Sequence, residues 1–434
     1  MNTNTNIKQG YKQTSLDILP QEWEVVRLGD ICEFLKGKGI SKDDLADNGI
    51  PCIRYGELYT IYDEIIQKVV SRTNLDSGEL IFSKANDIVL PTSGETAIDI
   101  CKASCVMIDN VALGGDLNVL RSKQNGAFLS YYINHKAKYD IAKLAQGVSI
   151  VHLYASELKS LQIPLPPIKE QEKIAQILGV WDKGISVLKS LIEAKTKRTK
   201  ALMQRLLTPP CESPTPSLRA SETSAAIYNK SVDCHDLTAS NLAMTEKNSK
   251  AEQSLRFAEF TDKWQEMRLG DIIFATTSNL TLQNIDDKGE FPVFGANGLI
   301  GYINFYHKEN ECLGVVKDGA GVGRTYFLPK KSSALNTLQY IETNQADIKF
   351  VYYLFLNIKW TNWIKGSTIP HIFFNDYKNL TIKLPTLAEQ KKIAQVLSAC
   401  DKEIELLKSK FQCLKTQKKG LMQRLLNGEV RVKC

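Results

Sequence analysis

Two stretches of this chain carry one apolar rhythm. In the first, Ile174, Leu178, Trp181, Ile185, Leu188, Ile192, Lys195, Thr199, Leu202 and Leu206 recur at alternating steps of four and three. In the second, Ile393, Leu397, Cys400, Ile404, Leu407, Phe411, Leu414, Lys418, Leu421 and Leu425 repeat it 219 positions later. A seam that keeps a heptad step over this length predicts a coiled-coil helix, because a helix lying on its own domain shows a wider 3.6-period face. Each helix, of about 38 residues, would run roughly 57 Å. Lys195, Thr199 and Lys418 fall late in the seams, where polar residues fix register at some cost in stability. The partner interface is expected at Leu178, Trp181, Ile185, Leu188 and Ile192, and at Leu397, Ile404, Leu407, Phe411 and Leu414.

The segments before each helix also match. Trp23 to Asp30 reads WEVVRLGD and Trp264 to Asp271 reads WQEMRLGD, an offset of 241. The helix openings, IPLPPIKEQEKIAQIL from Ile163 and IKLPTLAEQKKIAQVL from Ile382, are offset by 219, so the middle differs in length by 22 residues. Between these flanks lie short β-like runs such as DIVLPTSGE, CKASCVMI, FPVFGANGLIGYI and CLGVVKDGAGVGRTYFL, punctuated by Gly, Asn and Asp. A helix is expected over Ala127–Lys143 and another over Asp347–Ile364, each followed by a Gly loop and a strand ending in Pro. Gly147, Ile150, His152, Lys159, Leu161 and Pro166 find identical residues 219 positions on. The unit is too long for a solenoid repeat. It reads as a duplicated mixed α/β (α+β) domain, a common frame around unlike contents.

The expected organisation is a tail at 1–18, a first domain at 19–166, a helix at 167–207 and a flexible linker at 208–254, rich in Ser, Thr, Pro, Ala and Asn. A second domain at 255–385, a second helix at 386–427 and a short tail at 428–434 complete it. At 434 residues each domain can bury its own core. No apolar run approaches the roughly 20 residues of a membrane span, and the polar start MNTNTNIKQGYKQT is unlike a signal peptide. Ten scattered cysteines without a CxxC suit reduced thiols in a cytoplasmic protein rather than a structural zinc. The net charge of +7 is local: each helical stretch carries +5, leaving about −3 elsewhere. Such a positive face suits a polyanion, or is a solvated helix surface.

Catalytic signatures are missing. The Pro-Pro pairs follow Leu165 and Thr208, not the Asn or Asp of an amino-methyltransferase motif. DGAGVGRT at Asp318–Thr325 has Asp for the first Gly of a P-loop and Arg for its Lys, and a glycine-rich hairpin is the simpler account. His152 and His371, paired by the duplication, read as structural.

With those features in hand, the chain resembles the specificity subunit of a type I DNA restriction-modification system. The resemblance is carried by WxxxRLGD in each half, by GKGISKDDL and PCIRYGELY in the first, by FPVFGANGLIGY in the second, by LRFAEFTDKW between them, and by LPPIKEQEKIAQIL and LPTLAEQKKIAQVL. It implies two target-recognition domains on double-stranded DNA, alternating with two long helices that pair as an antiparallel coiled coil. It implies partners: modification subunits, two of them, and restriction/translocase subunits. It implies no cofactor in this chain, with S-adenosylmethionine, ATP and Mg2+ on those partners. The chain itself would be non-catalytic.

Unlike domains on one spacer cannot read a palindrome, so an asymmetric split target is expected, with half-sites about one DNA turn (~34 Å) apart. Polar loops should enter the major groove, where all four base pairs are distinguishable. The candidates are Lys36, Lys38, Arg54, Tyr55, Thr92 and Ser93 in the first domain, and Asn297, Lys317 and Arg324 in the second. Arg54 or Arg324 could pair with guanine and Asn297 with adenine; the competing role at each is a phosphate contact or a turn. Lys36 and Lys38, around Gly37, suit phosphate positioning, and Asn297-Gly298 is a hairpin-turn pair. From a different class, a coiled-coil scaffold with two protein-binding domains would lack the steep salt dependence of DNA binding.

Overall fold

The computed structural model describes residues 7–147, 150–210, 254–286 and 288–433. Two compact units emerge: one runs to Ser190 and resumes at Lys408, the other spans Leu191–Leu407. Of the expected linker, only its first three residues and its last belong to the described residues. No helix among the described residues is long and apolar enough to cross a membrane.

In unit one the run Asp87–Pro91 is buried at every position, as a strand covered on both faces must be. It lies at the centre of a five-stranded sheet ordered Cys32–Lys36, Leu117–Ser122, Asp87–Pro91, Ser104–Val106, Ile65–Ile66. Beside it lie a four-stranded sheet of Ser71–Thr73, Leu45–Ile53, Ala112–Leu113 and Ile81–Phe82 and a two-stranded pairing of Ser93–Gly94 with Val151–His152. The expected helix is present as Gly126–Tyr132, a π turn and Lys138–Leu144. Asn125 caps it by accepting from Phe128 N at 2.8 Å. Trp23, Phe128 and Tyr131 pack with Ile174 and Leu178 of the first long helix and with Met422 and Leu425 of the second. The expected tails are packed too. Tyr11–Gln13 pairs with Ile18–Pro20, Tyr11 Oη donates to Gly428 O at 2.8 Å, and Arg431 Nε donates to Glu170 Oε1 at 2.7 Å.

Unit two repeats the plan with fewer strands. Its antiparallel sheet is ordered Ile273–Thr277, Leu338–Thr343, Cys312–Val316, Thr325–Leu328, beside a smaller sheet of Gly298–Ile303, Phe291–Gly295 and Ser333–Ala334. The helix expected over Asp347–Ile364 ends at Asn357. The chain turns extended at Ile358, and Trp360 packs against Phe355 and Tyr377 at ring-centroid distances of 5.3 and 5.1 Å. Burying an indole there outweighs one further helical turn.

The duplicated flanks meet each other. Glu24–Arg27 pairs antiparallel with Gln162–Leu165, and Gln265–Arg268 with Thr381–Leu384. The Gly of RLGD is favoured because a Cβ on Gly29 would press within 3.0 Å of the Lys159 carbonyl oxygen, and on Gly270 within 3.1 Å of that of Lys378. The two lysines are themselves a matched pair of the duplication.

The long helices span Ile168–Leu206 and Leu387–Leu426. All twenty seam positions named above are buried or half-buried, while the positions between are mostly exposed. In unit one, Lys418 meets Asp182 and stands 3.9 Å from Glu64. In unit two, Lys195 Nζ lies 2.7 Å from Glu403 Oε1.

Candidate nucleic-acid interface

The antiparallel register brings three strand ends to one edge of the unit-one sheet. Lys36 stands opposite Asn118, and Pro91 opposite Leu117. From there the chain stays tightly laced. Gly37 N donates to Leu117 O at 2.9 Å and Lys38 N to Leu113 O at 3.0 Å. A Cβ on Gly37 would collide with the Gly114 carbonyl, so only glycine lets these loops approach. Thr92 N donates to Asp116 O at 2.8 Å, and Gly114 N to Ile53 O at 2.9 Å, which brings Arg54 alongside.

The six candidates of the first domain therefore share one edge but differ in setting. Lys36 and Lys38 are exposed, as phosphate contacts require. Arg54 is half-buried, its Nε 3.5 Å from Oε1 of Glu57. Glu57 is 3% exposed and also accepts from Ser71 Oγ at 2.6 Å, so the carboxylate holding Arg54 is itself fixed. The Thr92 hydroxyl lies 3.3 Å from Asp116 Oδ1. Tyr55 and Ser93 line a cleft of about 1050 Å³ whose wall also carries Asp63, Glu64, Glu95, Asp99 and Asp116 against Lys102 and Lys138. The excess of carboxylates opposes a phosphate, so these two are ill placed for backbone contacts. Burial pushes the Cys101 thiol in that wall up to about 12, which keeps it protonated.

In unit two the equivalent edge holds Lys317 and Arg324. Lys317 N donates to Thr337 O and Lys317 O accepts from Ile372 N, both at 2.9 Å. Thr92 makes the same pair of bonds, to Asp116 O and from Leu153 N. Thr92 and Lys317 thus hold one place in the two repeats, which their sequence neighbourhoods do not reveal. DGAGVGRT is a hairpin between Cys312–Val316 and Thr325–Leu328, closed by Val316 N to Arg324 O and Gly323 N to Val316 O, both at 2.9 Å. It opens no helix, as a P-loop would. Gly323 has φ +85°, and a Cβ there would meet Trp360 at 2.6 Å. Asn297 lies exposed in the two-residue loop between Gly295 and Gly298, and Arg324 Nη1 donates to its Oδ1 at 3.2 Å. The structure therefore brings Asn297 and Arg324 together.

His152 and His371 close matching backbone bridges, to Gln146 and to Lys365. Each lies against an aromatic two residues on, His152 with Tyr154 and His371 with Phe373, at 6.1 and 5.0 Å between ring centroids.

The side chains that fix each recognition domain to its helix escaped the sequence reading. Gln171 Oε1 accepts from Asn125 N at 3.0 Å while its Nε2 donates to Pro166 O at 2.8 Å. Gln390 does the same with Asp347 N and Pro385 O, at 2.9 Å each. Beside them Glu170 is gripped by Arg431, and Glu389 by Arg256 through Nε and Nη2, each at 2.9 Å. The signal was available in the repeated Glu-Gln pair of KEQ and AEQ. The positions of Lys36 and Lys38, carried by the offset of 241, would likewise have named Thr277 and Asn279.

Comparison with known proteins agrees with this architecture. The family described as type I restriction modification DNA specificity domain matches residues 20–195 and 261–416. The type I restriction enzyme MjaVIII specificity subunit of Methanocaldococcus jannaschii is 24% identical over 98% of both chains. The crystal structure of the S subunit of a type I restriction-modification system from M. genitalium superposes with a TM-score of 0.60 at 18% identity, covering 98% of each chain. A chain from a structure titled for complex assembly and conformational transition of the type I system gives 0.50 at 15% identity, covering 95% of this chain and 99% of that one. This chain belongs to the type I restriction-modification DNA specificity family, with one recognition domain in each half.

Proposed function

We propose that the chain directs its complex to an asymmetric, bipartite DNA target and performs no catalytic step of its own. The observation that carries this is the pairing of a common frame with unlike reading edges: Thr92 in one repeat holds the place of Lys317 in the other. Two such edges read two different words.

The two long helices are the platform for the partners. Their pairing as an antiparallel coiled coil is supported by the protected heptad seams and by an inter-helix ion pair within each unit. On this reading two modification subunits dock there and bring S-adenosylmethionine, and restriction/translocase subunits bring ATP and Mg2+. The assembly works in the cytoplasm, where the genome is.

A methylated-base map tests this in a genome expressing the chain with its neighbouring methyltransferase, against a deletion of this gene. A split asymmetric motif that vanishes on deletion is the expected result. An unchanged map, together with no salt-dependent DNA binding by the assembled complex, would favour a protein-binding scaffold instead.

A further inference from the structure

A polar cleft of about 320 Å³ lies beside the edge strand of unit two, walled by Thr277, Ser278, Asn279, His307, Lys308 and Tyr340. Its place in the repeat is informative. Thr277 stands opposite Gln339 as Lys36 stands opposite Asn118, so Thr277 and Asn279 occupy the positions of Lys36 and Lys38. The chemistry has changed from two exposed lysines to neutral hydrogen-bonding groups. The one lysine at the cleft is already engaged: Lys308 Nζ donates to Glu342 and, at 2.9 Å, to Thr276 Oγ1, and lies 4.9 Å from the Tyr340 ring centroid.

His307 is set up as a directed donor. Its Nδ1 lies 3.3 Å from Ser278 Oγ. That oxygen accepts from Leu280 N at 3.0 Å, and Tyr340 Oη lies 3.4 Å from the same Nδ1, so the nitrogen faces two hydroxyls able to donate to it. Burial, and then the neighbouring Lys308, hold the ring below its usual pKa and keep it neutral. When either hydroxyl donates to Nδ1 the ring proton sits on Nε2, which no described residue takes up.

We propose that Asn279 and His307 read base edges in the half-site of the second domain. This rests on the DNA-specificity reading above. The Asn279 carboxamide matches the paired donor and acceptor of adenine, and His307 Nε2–H matches the acceptors of guanine or thymine. Neutral groups aimed in fixed directions discriminate bases, whereas lysines attract any phosphate. The strand leading to Lys317 is two strand spacings from this edge, roughly 10 Å, or about three steps of 3.4 Å along DNA. Asn279 and Lys317 are thus within reach of one short word.

The test uses Asn279→Ala, His307→Ala and His307→Gln in the full complex, each read by a methylated-base map. The wild-type map comes first, and a map without a split motif would sink the specificity reading itself. Given that motif, both Ala variants should relax the same one of the two words, with roughly 10-fold weaker discrimination at one base position each. His307→Gln, which keeps a donor near Nε2, should retain more of that discrimination than His307→Ala. An unchanged word in both Ala variants, or an even loss of methylation at all sites with Asn279→Ala, overturns the inference.

Discussion

Arg324 Nη1 donates to Asn297 Oδ1 at 3.2 Å, tying the exposed tip of one hairpin of the second recognition domain to the exposed closing residue of another. The bond orients the guanidinium and uses one lone pair of the amide, so the two residues act as a unit and not as independent readers. Arg324→Ala should weaken the cognate duplex roughly 10-fold or more and non-cognate DNA much less, as loss of a base contact does. Asn297→Ala should lower specificity through a loosened Arg324, and the double variant should cost less than the two single effects combined. Binding titrations of the assembled complex on cognate and scrambled duplexes decide this. Equal weakening of every sequence, with a salt slope reduced by about 1, would make Arg324 a phosphate contact.

Lys36 and Lys38 should behave in that second way. Both are exposed at the sheet edge. Changing both to Ala should lower affinity across all sequences and flatten the salt dependence by up to ~2 in slope. The methylated motif should stay the same. A changed motif would show that one of them reads a base.

Gln171 and Gln390 sit where a recognition domain joins its helix, and both are fully buried. Truncating Gln390 to Ala leaves Asp347 N and Pro385 O without the partners they have now. Such a loss costs about 1–3 kcal/mol. The midpoint of urea unfolding should fall with no change in the bases read, and an unaltered midpoint would refute the anchoring role.

These anchors show where sequence reading succeeds and where it stops. The seam from Ile174 to Leu206 was legible because a heptad is a local period, and each position was found protected. The strands DIVLP and CLGVV were legible as short apolar runs bounded by turn residues. The helix end at Asn357 was not, because it is set by Trp360 meeting Phe355 and Tyr377, and Tyr377 is a distant partner. The kinship of Thr92 with Lys317 was hidden for a similar reason. It is defined by backbone bonds to loops of unequal length, and the offsets to those loops differ. The acidic wall around Tyr55 and Ser93 is assembled from residues as far apart as Asp63 and Asp116.

Glu64 carries a pH dependence. Burial raises its carboxyl pKa, and Lys418 offsets only part of that. Between the unfolded value near 4.3 and the raised one, the folded chain binds more protons than the unfolded chain. Stability from this group is therefore full below the unfolded value and is lost as pH rises through the folded one. Glu64→Gln should remove that component, so the difference in urea midpoint between wild type and variant should shift in favour of the variant as pH rises from about 4 to 7. An identical pH profile in the two proteins would exclude Glu64 as the source.

The spacing of the two half-sites should follow helix length. Seven residues keep the a/d seam in register and amount to about 10.5 Å of helix, close to three base-pair steps of 3.4 Å. One heptad removed from each long helix, in the matched segments Ser186–Ile192 and Glu405–Phe411, leaves both recognition domains, the Gln171 and Gln390 anchors and the Lys418 cluster as they are. The methylated motif should keep both words and shorten its gap by about three base pairs. The reverse outcome, new bases at the old gap, would mean that the helices do not set the spacing. Loss of methylation at every site would equally count against a simple ruler, because it would show that the partners or the DNA cannot follow the shortened platform.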